Sequence, residues 1–106
     1  MIKRLTAWRV RPGLDLNQAI ARWSSTRHVE LVLAVPGVLR YAQDRCVPGP
    51  DGSGPPYAGM GEIWFESMAT ATAAVATPEW QKVLTDAATF MDMSTVVAAY
   101  AEVQRA

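Results

Sequence analysis

A segment in the middle of the chain, residues 47–57, constrains the fold more than any other stretch. It contains four of the seven prolines and three of the seven glycines of the sequence. Proline lacks the amide hydrogen that a strand ladder needs, so regular structure cannot pass through this segment. Bulky and polar side chains alternate on both flanks, in residues 38–46 and 58–66. We therefore predict two strands joined as a long hairpin by a loop over residues 47–57.

The residues before this hairpin predict a strand and a helix. Residues 2–10 mix β-branched, aromatic and polar side chains without helical periodicity, and Arg11-Pro12-Gly13 ends them as a turn ends a strand. Apolar residues then recur at helical spacing over residues 16–34, with Asp15 or Asn17 as the capping residue.

The residues after the hairpin repeat that order. An alanine-rich segment over residues 67–76 leads into a helix that Thr77, Pro78 and Glu79 begin. These three residues supply a capping hydroxyl, a proline in the first turn and an acid near the positive end of the helix. Small and β-branched residues over 95–103 predict the last strand.

The element order predicts one α+β domain over residues 1–106 with the ferredoxin-like βαββαβ plan. In that plan a four-stranded antiparallel sheet has the strand order 4-1-3-2 and both helices lie on one face. The strand aromatics Trp8, Tyr41, Trp64 and Tyr100 have more bulk than two short helices can cover. A second sheet would cover the remaining face, so we predict a homodimer in which two sheets pack together.

Composition and charge argue against several classes of protein. With 50% apolar and 19% charged residues, 106 residues are enough to bury one core. The formal net charge is zero, so we expect no nucleic-acid partner and no membrane partner. Cys46 is the only cysteine, and no apolar run approaches the roughly 20 residues of a membrane span. We expect a cytoplasmic protein.

The zero net charge is the sum of two oppositely charged halves of the chain. Residues 1–45 carry a net charge of +5 and residues 46–106 a net charge of −5. In the predicted sheet the first and third strands are neighbours. That arrangement would bring Arg4 and Arg9 near the acidic residues of the third strand, Glu62 and Glu66.

His28 is the only histidine and the first candidate for proton transfer. Histidine is the side chain that normally changes its charge near neutral pH. A hydrogen-bonded core histidine remains the alternative interpretation. On an ideal helix Arg27 falls near the middle of the apolar stripe, where an unpaired arginine is unfavourable.

Several segments of the chain match one family pattern in the same order: residues 11–14, Trp23 to His28 with Leu31 and Val32, and residues 36–38, 40–43, 57–67, 77–79 and 90–92. Together they resemble the EthD-like family of the dimeric α+β barrel superfamily. The resemblance implies a homodimer whose pocket takes an aromatic, polyketide-like or lactone metabolite without metal or organic cofactor. It implies isomerisation, cyclisation or dehydration by histidine acid–base catalysis. The alternative is a non-catalytic accessory or small-molecule-binding protein of an oxidative degradation pathway.

The resemblance also suggests roles for individual residues. His28 would act as the catalytic acid or base, and Tyr41 would help to hold an enolate or phenolate. The residues expected to bind substrate are Trp23, Gln43, Glu62, Trp64 and Phe90. Other interpretations stay open: Tyr41 and Gln43 as ordinary sheet-surface residues, Glu62 as an ion-pair partner of Arg4 or Arg9, and the tryptophans and Phe90 as core.

The spacing between Trp23 and His28 departs from the family pattern. The family usually has three residues between them, whereas four stand here, Ser24 to Arg27. In an ideal helix a separation of five turns the two side chains about 140° apart. We predict a π-bulge between them, which would return both to one face and move Arg27 out of the apolar stripe.

Overall fold

The computed structural model describes residues 1–106 as an antiparallel sheet of four strands with helices packed on one face. The strand order in the sheet is β2–β3–β1–β4, which confirms the predicted order 4-1-3-2 and the ferredoxin-like α+β fold. The elements are β1 (Ile2–Trp8), α1 (Leu16–Trp23), α2 (Thr26–Leu33), β2 (Arg40–Arg45), β3 (Gly59–Phe65), α3 (Met68–Ala74), α4 (Pro78–Ala87), a 3-10 turn (Met93–Thr95) and β4 (Val97–Glu102).

Each of the two helical regions is a pair of short helices, not one helix. The side chain of the residue immediately before each helix accepts a hydrogen bond from the backbone N–H three positions further along the chain. Such caps satisfy amide groups that have no partner within the helix and fix where it begins. The four capping residues are Asp15, Ser25, Ser67 and Thr77.

The predicted continuous helix over 16–34 and its π-bulge are both wrong. The Ser24 and Ser25 hydroxyls donate to the carbonyls of Ile20 and Arg22, at 2.8 and 2.6 Å. Ser25 also accepts the amide of His28, so the chain ends one helix and starts another at this point. The break, and not a bulge, absorbs the extra residue: Trp23 and His28 are both buried.

Alternating side chains of β3 divide the sheet into two faces. Gly59, Gly61, Ile63 and Phe65 are buried beneath the helices, whereas the residues between them are more exposed. Of the four strand aromatics predicted to exceed what the helices can cover, only Trp64 lies on the uncovered face. Trp8 and Tyr41 lie on the helix side, because they pair across the sheet with Gly59 and Ile63, and Tyr100 lies there as the partner of Arg4.

The loop over residues 47–57 contains no strand or helix, as predicted. A tight turn forms at its centre, where Gly49 N–H donates to the Ser53 carbonyl at 3.0 Å. The Asp51 carboxylate accepts both the amide and the hydroxyl of Ser53. These local bonds replace the ladder hydrogen bonds that the prolines remove.

The expected pairing of Arg4 and Arg9 with Glu62 and Glu66 does not form. Strand β1 does lie beside β3, but the partner of Glu62 is Lys3, whose Nζ lies 3.0 Å from Oε1. Adjacent strand residues point to opposite faces, so Arg4 faces the helices and stacks on Trp80. Arg9 lies past the end of β1 and stacks on Tyr57 in the loop.

Candidate functional site

A cavity of about 90 Å³ lies between the sheet and the helices. Most of its lining is apolar, including Trp8, Trp23 and Trp80. Four residues with polar side-chain groups also line it: Arg4, Thr6, His28 and Tyr41. A mostly apolar cavity with a few convergent polar groups is typical of a small-molecule site. This cavity is smaller than the 300 Å³ or more of common ligand pockets.

His28 is almost completely buried, with 2% of its surface exposed, and lies against the cavity. Its Nδ1 is 2.9 Å from Oδ2 of Asp86. Burial holds the pKa of His28 below its ordinary value, and the hydrogen bond and charge of Asp86 oppose that shift only in part. A neutral ring beside a carboxylate carries its proton on Nδ1, which leaves Nε2 as a base without a partner in the chain.

Sequence reasoning missed Asp86. It lies on α4 at 15% side-chain exposure and also accepts a hydrogen bond from Nε of Arg27, at 3.3 Å. Arg27 itself is exposed, so its expected departure from the apolar stripe does occur. One signal could have identified Asp86: an acid in the last turn of a helix opposes the helix dipole, which suggests a specific partner.

Tyr41 and Gln43 lie on the helix side of β2, and a hydrogen-bond chain links them to α1. Gln43 Nε2 donates to the Trp23 carbonyl at 2.7 Å and to the Tyr41 hydroxyl at 3.0 Å. Burial raises the pKa of Tyr41, while the bond from Gln43 acts in the opposite direction. The phenol therefore stays protonated at neutral pH. Gln43 does not line the cavity; it holds Tyr41 in place.

Aromatic rings surround the inner end of the cavity. Trp8 makes edge-to-face contacts with Trp23 and Phe90, at centroid distances of 5.2 and 5.6 Å, and Phe90 contacts the His28 ring at 5.1 Å. Trp8 and Trp23 line the cavity, whereas Phe90 lies behind His28. The Trp8 Nε1–H is buried without a hydrogen-bond partner.

Glu62 and Trp64 lie on the opposite face of the sheet from the cavity. The prediction that Glu62 and Trp64 bind substrate in the same pocket as His28 and Tyr41 is therefore wrong. Glu62 pairs with Lys3, which holds the pKa of Glu62 below its ordinary value. Lys3 and Arg40 both stack on the Trp64 ring, at 5.0 and 4.7 Å from its centroid. The strand period of two explains the separation, since even-numbered residues of β3 point away from the helices.

No group of three or more His, Cys, Asp or Glu side chains is placed to share a metal ion. No helix has both the length and the apolar character needed to cross a membrane.

Comparison with known proteins identifies the family. The family model for the EthD domain matches residues 11–94, most of the chain. The chain belongs to the EthD domain family. A curated relative, an uncharacterized 11.0 kDa protein in the thcB-thcC intergenic region of Rhodococcus erythropolis, is 39% identical over 66 residues. That match spans 62% of this chain and 63% of the relative, which is less than two-thirds of the relative's length.

Three solved structures of low sequence identity share the fold of this EthD-domain chain. An ethyl tert-butyl ether d (ethd) family protein from Bacillus halodurans superposes with a TM-score of 0.80 at 22% identity, covering 98% of this chain and 100% of that chain. A dimeric protein of unknown function and ferredoxin-like fold from Bacteroides fragilis gives 0.70 at 12% identity, covering 96% and 95%. SnoaB, a cofactor-independent oxygenase from Streptomyces nogalater, gives 0.67 at 10% identity, covering 99% and 94%.

Proposed function

We propose that this EthD-domain chain is a small cofactor-independent enzyme in which His28 moves a proton on a bound metabolite. The observation that carries the proposal is the pair of His28 and Asp86 at the wall of an apolar cavity. Catalytic bases work best when they are neutral at the working pH and fixed in one orientation. Burial keeps His28 neutral, and Asp86 fixes its ring.

The chemistry follows from the two ring nitrogens. Nε2 takes a proton from a carbon next to a carbonyl group. The electron pair of that C–H bond forms a C=C bond as the carbonyl π pair moves onto the oxygen, which gives an enolate. The imidazolium formed is stabilised by the Asp86 carboxylate. His28 then returns the proton to another carbon, which completes an isomerisation, or to a departing hydroxyl, which completes a dehydration.

Tyr41 is the proposed partner of the enolate oxygen. Tyr41 lines the same cavity, and its hydroxyl stays protonated because burial raises its pKa. A buried phenol that donates toward a developing negative charge stabilises the transition state more than the ground state. Gln43 donates to the same hydroxyl, which leaves the phenolic proton free for a ligand.

The size of the cavity limits the substrate. An engineered cavity of about 150 Å³ accepts benzene, so about 90 Å³ holds the equivalent of only three or four non-hydrogen atoms. The part of the substrate that reaches His28 is therefore an acyclic group or one edge of a single ring. Among the metabolite classes that the family resemblance implies, small lactones and single-ring compounds fit better than multi-ring polyketides.

We also propose that the working form is a homodimer. The helix-free face of the sheet has an exposed apolar surface that includes Met60 and Val97, with Leu5, Ala7 and Ala99 around a depression of about 320 Å³. An exposed apolar sheet face favours a second sheet as its cover. The Bacteroides fragilis protein of ferredoxin-like fold is dimeric, which supports a dimer here.

Proton exchange tests the proposed activity without knowledge of the full reaction. The protein would be incubated in D₂O with a panel of small ketones, lactones and keto acids, and deuterium uptake next to the carbonyl followed by NMR. We expect uptake in at least one compound, reduced about a hundredfold or more in His28→Gln. Uptake that is equal in His28→Gln, or absent for every compound, would contradict the proposal. In the second case, binding without exchange would favour a non-catalytic binding protein.

A further inference from the structure

The cavity has one charged group that the proposed proton transfer does not use, the guanidinium of Arg4. Arg4 lies on the helix side of β1, partly buried, and lines the same cavity as His28. Its guanidinium stacks on the Trp80 ring at 4.8 Å from the centroid and donates one hydrogen bond, from Nη1 to the Thr6 hydroxyl at 2.7 Å.

No carboxylate neutralises this charge. The three ion pairs of the chain involve Lys3, Arg27 and His28, so no Asp or Glu oxygen lies within 4.0 Å of Arg4. A guanidinium has five N–H donors, of which Arg4 uses one within the chain. A partly buried arginine without an anionic partner is unfavourable unless a ligand supplies the anion.

The positions of Arg4 and His28 along the cavity suggest a direction for the ligand. Arg4, Thr6 and Trp8 follow one another on the same face of β1, and all three line the cavity. At about 3.3 Å per residue, some 13 Å of strand separates the Cα atoms of Arg4 and Trp8. The aromatic cluster with His28 lies at the Trp8 end, whereas Arg4 and Trp80 lie at the other.

We propose that Arg4 is an anion-binding residue and that the substrate of this site is a small carboxylic acid. The carboxylate pairs with the guanidinium where Arg4 lies over the Trp80 ring, and the uncharged end extends toward His28. Arginine suits this role because its planar fork binds both oxygens of a carboxylate, and the cation–π contact with the indole helps to hold the guanidinium at this end of the cavity. The inference rests on the proposed function for its reacting end, but the binding of the anion does not require catalysis.

Crotonate and crotonamide are suitable probes, because they have nearly the same size and shape and differ in charge. Their three-carbon tail also matches the volume of the cavity. Binding would be followed by amide chemical shifts at constant ionic strength, since salt screens charge interactions. We expect the wild-type protein to bind crotonate at least about tenfold more tightly than crotonamide.

Arg4→Gln should remove that preference and weaken crotonate binding by about 10- to 100-fold, with crotonamide binding little changed. Arg4→Lys, which keeps a positive charge, should retain part of the preference. The matched control is Arg40→Gln, which removes an arginine stacked in the same way on a tryptophan, Trp64, on the opposite face of the sheet. That variant should bind crotonate as the wild type does.

Equal binding of the two probes by the wild type, or no binding of either, would overturn the proposal. An equal loss of crotonate binding in Arg40→Gln and Arg4→Gln would also overturn the proposal. Such a result would mean that the net charge of the protein, and not a contact with Arg4, determines the binding of crotonate. His28→Gln separates this proposal from the proposed activity. Retained crotonate preference in that variant, with no proton exchange in the wild type, would leave Arg4 as the anion site and refute only the catalysis.

Discussion

His28 and Asp86 meet across the contact between α2 and α4, where Nδ1 of the ring lies 2.9 Å from Oδ2 of the carboxylate. The two residues are 58 positions apart in the sequence, so only the folded chain brings them together. The pair fixes which ring nitrogen carries the proton and which stays free. Because His28 is the only histidine, its NMR signals report on this pair without assignment by mutation.

Replacing Asp86 with Asn should lower the pKa of His28 further below its ordinary value. The carboxylate raises that pKa through its hydrogen bond and its charge, and the neutral amide removes the charge. The amide oxygen can still accept from Nδ1, so the ring keeps its orientation. Titration of the His28 ring protons in both proteins measures the change. Asp51→Asn, in the loop over 47–57, is the control and should leave the titration unchanged; a pKa that rises in Asp86→Asn would contradict this account.

The stability of the protein should fall as the pH drops below about 6.5. The pKa of His28 is lower in the folded chain than in the unfolded chain, so below 6.5 the unfolded state binds more protons. The free energy of unfolding then decreases by at most about 1.4 kcal/mol per pH unit until the lowered folded-state pKa is passed. Urea unfolding measured at several pH values between about 7.5 and 5, the range in which a histidine side chain changes its charge, gives this slope. His28→Gln should flatten it, and an unchanged slope in that variant would assign the effect to other groups.

Gly59→Ala should destabilise the fold by about 1–3 kcal/mol through overpacking. A Cβ atom there would lie 2.8 Å from ring atoms of Trp23 and from Nε1 of Trp8, both of which are buried rings. Gly61→Ala on the same face of β3 is the matched control, because its Cβ would meet only Tyr41 Cε1 at 3.8 Å. The control should leave stability unchanged or raise it by up to about 1 kcal/mol. Equal effects of the two variants would show that the rings are not held at this position.

A charge on the helix-free face of the sheet should separate the proposed dimer. Val97 is 51% exposed on that face, so Val97→Lys places a charge in the contact between the two sheets. Light scattering should give about twice 11.6 kDa for the wild type and about 11.6 kDa for the variant at micromolar concentration. Leu33→Lys, an equally exposed apolar position on α2, should remain dimeric. A wild-type mass near 11.6 kDa would rule out the dimer.

The sequence was sufficient to predict the strands and the loop, because proline, glycine and period-two alternation act locally. The strand order then followed from the βαββαβ plan that the succession of elements matches. It was not sufficient to predict the break at Ser24 and Ser25. Helical periodicity continues across that point, and only the two hydroxyl bonds to earlier carbonyls reveal why the helix ends. The π-bulge predicted to return Trp23 and His28 to one helix face does not form; the two residues lie on separate helices and line the same cavity.

The candidate site could be predicted only in part. His28 and Tyr41 could be identified by residue type and family pattern, whereas Asp86 and Arg4 depend on contacts between distant elements. Glu62 and Trp64 were assigned to the pocket because they belong to the strand next to Tyr41. The face of β3 on which each residue lies depends on the register between β2 and β3, and the sequence alone does not specify that register.

The tautomer of His28 tests the central claim most directly. Uniform ¹⁵N labelling and a long-range ¹H–¹⁵N correlation spectrum of the ring would distinguish protonated from unprotonated nitrogens at pH 7. We predict a neutral ring with the proton on Nδ1, toward Asp86, and an unprotonated Nε2. A proton on Nε2 with Nδ1 bare, or a ring protonated on both nitrogens at that pH, would contradict the assignment of His28 as the base.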